Sequence, residues 1–298
     1  MQVPAPFEYA KATSVEHALE LLAQHGRGIG EARVIAGGHS LLPMMKLRLA
    51  QPDALIDING LTDLAFIRVE GDTLRVGALT RHAAILASAV VGEHFPLLHD
   101  AEKVIADPIV RNWGTIGGSL CQGDPAEDIP AALVAVGASA VIRGADGSRT
   151  VSIREFHIGP YETVVAPGEL LTEVTIPIRP GGSSAYEKVE RKAGDWACAA
   201  AGAAVWLTSG VTGWSFDDVG LGLTAVGAEH YTVPAAEEFL RGKIATEENI
   251  VAAAQIAADH TNPTADQRGP EDYKRHLARE LTARALRRAI KRAQGLGA

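Results

Sequence analysis

Two paired-glycine turns constrain this chain more than any other feature. Ala36-Gly-Gly-His-Ser40 follows the short apolar run 32–36 and precedes the apolar stretch Leu41–Leu49; Thr115-Ile-Gly-Gly-Ser119 runs directly into Leu120. The first turn therefore joins a strand to a helix. Adjacent glycines let backbone N–H groups approach an anion closely, and the serine that follows adds a hydroxyl donor. A helix N-terminus adds about half a positive charge. Placed on two neighbouring units, such loops can converge on one pyrophosphate. The pattern equally describes two tight turns in which glycine supplies a positive φ.

The rest of the chain divides into three stretches. In residues 1–57, Thr13-Ser-Val-Glu16 has the spacing of a capping box and opens a helix with Val15, Ala18, Leu21 and Leu22 on one face. Gly26–Gly30 ends it. Strands over 32–36 and 54–58 flank the helix 41–49, a βαβ pattern. In residues 58–180, Ile67–Val76 alternates across Gly71-Asp72 as a hairpin. Thr80 is positioned to cap a helix reaching Val90, and Ile129–Val136 is a buried helix. The segments 138–142 and 150–153 pair across Gly144-Ala-Asp-Gly147, and the strand Leu170–Ile176 is stopped by Pro177. Arg179-Pro-Gly-Gly-Ser-Ser184 reads as a linker. Beyond it, 184–298 gives strands at 185–189, 197–207 and 219–225, then helices at 235–241, 246–260 and 271–292. Strands followed by helices indicate a separate α+β unit.

Composition excludes several function classes. The 298 residues carry 36 acids and 28 bases, a net charge of −8, a poor match to non-specific nucleic-acid binding. Two cysteines, Cys121 and Cys198, cannot form a disulfide framework, a four-cysteine zinc site or a cysteine-ligated iron–sulfur cluster. The ten histidines show no metal-ligand spacing. No Walker, Rossmann, nucleophile-elbow or zincin motif is present. The N-terminal residues have no apolar signal core. The uncharged run Trp196–Phe216 contains Gly202, Gly210 and Gly213, so it reads as two strands and a turn rather than a membrane span. These features point to a cytoplasmic chain with reduced thiols.

Three further clusters carry chemistry or plain structure. Gly123-Asp-Pro-Ala-Glu-Asp128 sets carboxylates at 124, 127 and 128 before an apolar helix. Asp124 or Asp128 suits a ribose or a flavin-like ring, and the same acids suit helix capping. Glu187–Lys192 with Trp196 offers a cation and an aromatic cover, or a solvated charged strand with a core tryptophan. Tyr273–Arg292 holds eight bases and one acid, Glu280, with Tyr273, Leu277, Leu281 and Ala285 on one side. It reads as an amphipathic helix with a basic outer face.

AGGHSLLPMMKLRLA (36–50), RNWGTIGGSLCQGDPAEDIP (111–130), GELLTEVTIP (168–177) and AYEKVERKAGDWACAAAGAAV (185–205), in this order and spacing, resemble the medium, FAD-binding subunit of the molybdenum hydroxylases, carbon monoxide dehydrogenase type. Asp266–Tyr273 is similar to that family's C-terminal domain. The resemblance spans essentially the whole chain. It implies an α+β architecture: a two-subdomain FAD-binding fold of the vanillyl-alcohol-oxidase (PCMH) type (1–57 and 58–180) and a flavoprotein C-terminal domain (184–298). It implies that Ala36, Gly37, Gly38, His39 and Ser40, with Thr115, Ile116, Gly117, Gly118 and Ser119, wrap the pyrophosphate and ribityl chain. Ile105, Asp128, Leu171 and Lys188 are further implied FAD contacts, Lys192 lies next to that lysine, and Trp196 falls beside the flavin ring.

The resemblance also implies partners: a large molybdenum-cofactor subunit, a small [2Fe-2S] subunit, a (large–medium–small)2 assembly and an external acceptor, a quinone or soluble carrier. It implies neither a metal ligand nor a catalytic acid or base in this chain, and allows peripheral association with the inner membrane face through partners. A self-sufficient flavoenzyme of the same fold and a non-enzymatic assembly subunit are the alternatives.

Overall fold

The computed structural model describes residues 3–25, 31–211 and 213–296. The first unit runs β1 (Glu8–Lys11), α1 (Val15–His25), β2 (Ala32–Ile35), α2 (Leu41–Lys46) and β3 (Ala54–Asp57). Its strands are parallel in the order β1-β3-β2. Ala18 and Leu22 of α1 bury against Ile56 and Ile58. The helix is capped one residue later than the sequence pattern places it: the Ser14 hydroxyl accepts from the His17 amide. The turn assigned to Gly26–Gly30 lies outside the described residues. α2 stops short of Leu49 because Arg48 takes a left-handed φ of 59°. The apolar pattern there continues past the helix.

The second unit runs β4 (Ile67–Glu70), β5 (Thr73–Gly77), α3 (His82–Ala87), α4 (Ala89–His94), α5 (Pro96–Val104), α6 (Pro108–Trp113), α7 (Ile116–Gln122), α8 (Asp128–Ala135), β6 (Ser139–Gly144), β7 (Gly147–Ser152), α9 (Ile153–Phe156), β8 (His157–Gly159), β9 (Glu162–Thr163) and β10 (Leu170–Pro177). Five strands form one antiparallel sheet, β4-β5-β10-β6-β7. The helix expected from Thr80 to Val90 is instead two short ones. Thr80 turns its hydroxyl to the Phe66 backbone, and Ser88 breaks the run and caps the second. A register shift between Leu171 and Glu173 bulges β10 at Thr172, whose carbonyl accepts from Ala78. Every residue of α8 is buried.

The third unit begins at once after Arg179-Pro180-Gly181, since the supposed linker already enters β11 (Gly182–Glu190). β12 (Ala197–Gly210) and β13 (Gly213–Thr224) complete an antiparallel sheet. The uncharged run is thus a strand pair. α10 (Pro234–Leu240), α11 (Glu247–Asp259) and α12 (Glu271–Ala293) follow. α12 covers the sheet through Leu277, Leu281, Ala285 and Leu286, and α11 packs on α12. Tyr273, read as part of that apolar face, is 42% exposed. The basic face of α12 is not simply an outer one. Arg288 and Arg292 both reach Asp100 of α5, and Lys274 is buried on Asp266 and the Thr264 carbonyl. Across the sheet, Tyr186, Ala197, Ala200 and Ala204 join the core of the second unit.

Candidate functional site

One cleft of about 980 Å³ opens among the three units. Ala36, Gly37, Gly38, His39, Ser40, Ile105, Thr115, Gly117, Gly118, Ser119, Asp128, Leu171, Lys188 and Trp196 all line it. Residues far apart in sequence are therefore neighbours here. Ile116 is the exception. Its side chain is 1% exposed in the core, and its amide donates to the Thr80 carbonyl at 3.1 Å.

The first glycine loop leaves the end of β2 and is pinned from outside. Asn59 donates to the Ala36 carbonyl at 2.5 Å, and Arg81 donates to the Asn59 side-chain oxygen at 2.9 Å. Gly38 has φ +74°, the left-handed region that favours glycine, whereas Gly37 is glycine because of proximity. A Cβ on Gly37 would stand 2.2 Å from the Trp113 carbonyl oxygen. Among the described residues, nothing accepts from the amides of Gly37, Gly38, His39, Ser40 and Leu41. They are free donors for an anion. His39 itself is exposed, its Nδ1 3.0 Å from the Gly37 carbonyl.

The second loop behaves differently. Thr115 Oγ1 accepts from the Gly118 amide at 3.0 Å, the Gly117 amide donates to Ala78 O at 2.9 Å, and the Ser119 amide donates to Thr115 O. With the Ile116 amide also engaged, these four donors are used inside the protein. The two loops are thus not equivalent amide cradles. The second offers a close backbone surface and the Ser119 hydroxyl, which is hydrogen-bonded to the Glu127 carboxyl.

The acidic cluster separates into three roles. Asp124 shapes the turn: it accepts from the Ala126 amide at 2.9 Å and from the Tyr161 hydroxyl at 3.0 Å, and it does not line the cleft. Glu127 and Asp128 do. Burial, aided by the charges of Asp124 and Asp128, pushes the Glu127 carboxyl well above the usual range. Burial also raises Asp128, against the pull of Lys188. Cys121 is an exposed residue on the cleft wall, desolvated by the protein packed around it. Burial and Glu127 push its thiol up to about 12.

Lys188 is not a free cation. Its side chain is 2% exposed, and its ammonium donates to Asp128 at 2.8 Å and to the Val104 carbonyl at 3.0 Å. Arg111 donates to the next carbonyl, Ile105 O, at 2.7 Å, and Ala106 adopts φ +45°. The lysine therefore anchors the segment that presents Ile105. Trp196 is 40% exposed at the cleft, whereas Lys192 is exposed and lies off it. The sequence reading missed Tyr161, with φ +61°, and His82; both line the cleft. Among the described residues, no group of three or more His, Cys, Asp or Glu could hold a metal ion.

Two α/β units closing on a large cleft with free amide donors define a dinucleotide-cofactor-binding protein. Residues 5–179 match the family described as the FAD binding domain in molybdopterin dehydrogenase, and residues 184–289 match the CO dehydrogenase flavoprotein C-terminal domain. The carbon monoxide dehydrogenase medium chain of Hydrogenophaga pseudoflava is 42% identical, covering 96% of this chain and 98% of that one. The glyceraldehyde dehydrogenase medium chain of Sulfolobus acidocaldarius is 36% identical, with 95% and 98% covered. A solved carbon monoxide dehydrogenase from H. pseudoflava, lacking the Mo-pyranopterin moiety, superposes with a TM-score of 0.91 at 43% identity, covering 97% of this chain and 99% of that one. The chain belongs to the family of FAD-binding medium subunits of molybdenum-dependent dehydrogenases. Its cofactor is FAD.

Proposed function

We propose that the chain is the electron-transfer subunit of a molybdenum hydroxylase complex, taking electrons from the iron–sulfur clusters of a small subunit and passing them to an external acceptor, a quinone or soluble carrier. One observation carries this reading. The two glycine loops, Asp128, Leu171, Lys188 and Trp196 share one cleft. Its two cysteines are too few to ligate an iron–sulfur cluster, and among the described residues no group of three or more His, Cys, Asp or Glu could hold a metal ion.

The cleft fits FAD in size and chemistry. About 980 Å³ is at the upper end of ligand sites, roughly 300–1,000 Å³. The free amides of 37–41 suit the pyrophosphate, and Ser40 and Ser119 suit phosphate or ribityl oxygens. Trp196 suits one face of a planar ring, and the Asp128–Lys188 pair holds Ile105 in place at the cleft. Bound FAD supplies the redox chemistry; the chain binds it, orients it and sets its electrostatic surroundings. The division into 1–57, 58–180 and 184–298 belongs to this reading, as does a (large–medium–small)2 assembly with a large molybdenum-cofactor subunit. So does a cytoplasmic location, with any membrane contact made through partners. No helix among the described residues is long and apolar enough to cross a membrane. Relatives named for carbon monoxide and for glyceraldehyde align over nearly the same span. On this reading, substrate choice resides in the large subunit.

The test is co-expression with candidate partner subunits, followed by gel filtration, metal analysis and dye reduction. Co-elution of FAD, iron and molybdenum, with substrate-dependent dye reduction only in the complex, is expected. Substrate-dependent bleaching of the flavin in the isolated chain would instead identify a self-sufficient flavoenzyme.

A further inference from the structure

We infer that His82, held by Glu102, is a phosphate-binding residue of the cleft, donating from Nε2 to the cofactor's pyrophosphate. The inference rests on the reading above, in which that pyrophosphate lies between the two glycine loops. The first observation is a shortage of donors. The amides of Ile116, Gly117, Gly118 and Ser119 are already used within the protein, so the second loop adds no free amide from these positions. A diphosphate carries two negative charges, and a cleft for it needs compensation beyond one run of neutral amides. Among the described residues, the lysine and arginine that line the cleft are both paired, Lys188 with Asp128 and Arg33 with Glu31.

The second observation is placement. His82 is 5% exposed and lines the cleft. Its ring lies against Gly114, where a Cβ would stand 2.8 Å from Cδ2 and 3.4 Å from Nε2. Gly114 immediately precedes the second loop. Together with Trp113, it is also the surface against which Gly37 of the first loop packs. The ring thus sits where the two loops meet. The third observation is orientation. Nδ1 faces both oxygens of Glu102, at 3.0 and 3.1 Å, and among the described residues Nε2 has no partner.

Glu102 has no solvent exposure, and among the described residues His82 is its one hydrogen-bond partner. A buried carboxylate is tolerated when a positive partner compensates it. Two arrangements leave no uncompensated buried charge, an imidazolium on a carboxylate and a neutral ring accepting at Nδ1 from a carboxylic acid, and in both Nε2 carries the hydrogen it presents to the cleft. Glu102 is a positioning residue, fixing which nitrogen faces the ligand, and His82 is the contact.

The experiment uses the full-length chain stripped of FAD. FAD affinity is measured by calorimetry for wild type, His82→Gln, His82→Ala and Glu102→Gln. ³¹P NMR of bound FAD is recorded at saturation. Loss of one charge-assisted hydrogen bond is expected to weaken FAD by about 10- to 100-fold in His82→Ala, with a smaller loss in Glu102→Gln. A pyrophosphate ³¹P resonance should move in His82→Gln, which a purely structural histidine would leave in place. Should His82→Ala fail to fold, Glu102→Gln, which keeps the shape of the site, carries the affinity measurement. FAD binding within threefold of wild type in the folded variants, or unshifted ³¹P resonances, overturns the inference. A wild-type chain that binds no FAD overturns the underlying reading instead.

Discussion

Replacing Gly37 by alanine tests the architecture of the cleft with a single methyl group. The added Cβ would stand 2.2 Å from the Trp113 carbonyl oxygen, 2.8 Å from its carbon and 2.9 Å from Gly114 Cα. All three are backbone atoms, so no side chain can swing away. Restoring an ordinary contact of 3.4 Å requires the first loop to separate from 113–114 by about 1.2 Å. Overpacking of this kind costs about 1–3 kcal/mol. At about 2–4 °C per kcal/mol for a chain somewhat smaller than this one, the FAD-free protein should melt several degrees lower. FAD should suffer more than stability, because the displaced loop carries the free amides of 37–41. Melting by calorimetry and FAD stoichiometry after gel filtration measure both. Gly38→Ala is the internal comparison. Its strain comes from φ +74° and its nearest neighbour is the Leu42 side chain, so it should disturb 113–114 less. Gly37→Ala with wild-type melting and full FAD would refute the close approach of the two loops.

Three other outcomes follow from the same contacts. Lys188→Met should destabilise the chain by about 3–5 kcal/mol, because it strands Asp128 in a buried position and frees the Val104 carbonyl; adding Asp128→Asn should recover part of the loss in a chemical-denaturation cycle. Glu127, raised by burial, binds its proton more tightly folded than unfolded, so its stabilisation is full below the ordinary glutamate range and is lost as pH rises through its folded value. Glu127→Gln should therefore flatten the decline of melting temperature toward alkaline pH, and an unchanged slope would count against it. Trp196→Phe should lower the quenching of tryptophan emission on FAD addition, measured against Trp113, Trp206 and Trp214; undiminished quenching would place Trp196 away from the ring.

Local signals in the sequence had local causes, and those were legible. Thr246 caps α11 through its hydroxyl, and the alternation around Gly71-Asp72 and Gly144–Gly147 marks two hairpins that the sheet contains. α5 and α6 were missed although each opens with proline at its first position, a start signal that was available. β1 was missed because four mostly exposed residues, Glu8–Lys11, show no apolar alternation. The lining of the cleft was legible through motifs, but its electrostatics were not. Glu102 lies 20 residues from His82, and Val104 lies 84 residues from Lys188; no spacing rule links them, and only the packing of α3 and of β11 against α5 does. The expectation that both glycine loops present amides failed partly for the same reason: the Ile116 and Gly117 amides are taken by Thr80 and Ala78, from a different part of the chain, and those of Gly118 and Ser119 by the neighbouring Thr115.

The central claim is that the cleft between residues 36–40 and 115–119 holds FAD. A crystal structure of the purified chain with FAD tests it most directly. The account predicts one FAD per chain, its pyrophosphate against the amides of Gly37–Leu41 and its flavin ring beside Trp196. A fully occupied FAD lying outside this cleft, or crystals grown in excess FAD with the cleft free of cofactor density, would contradict it.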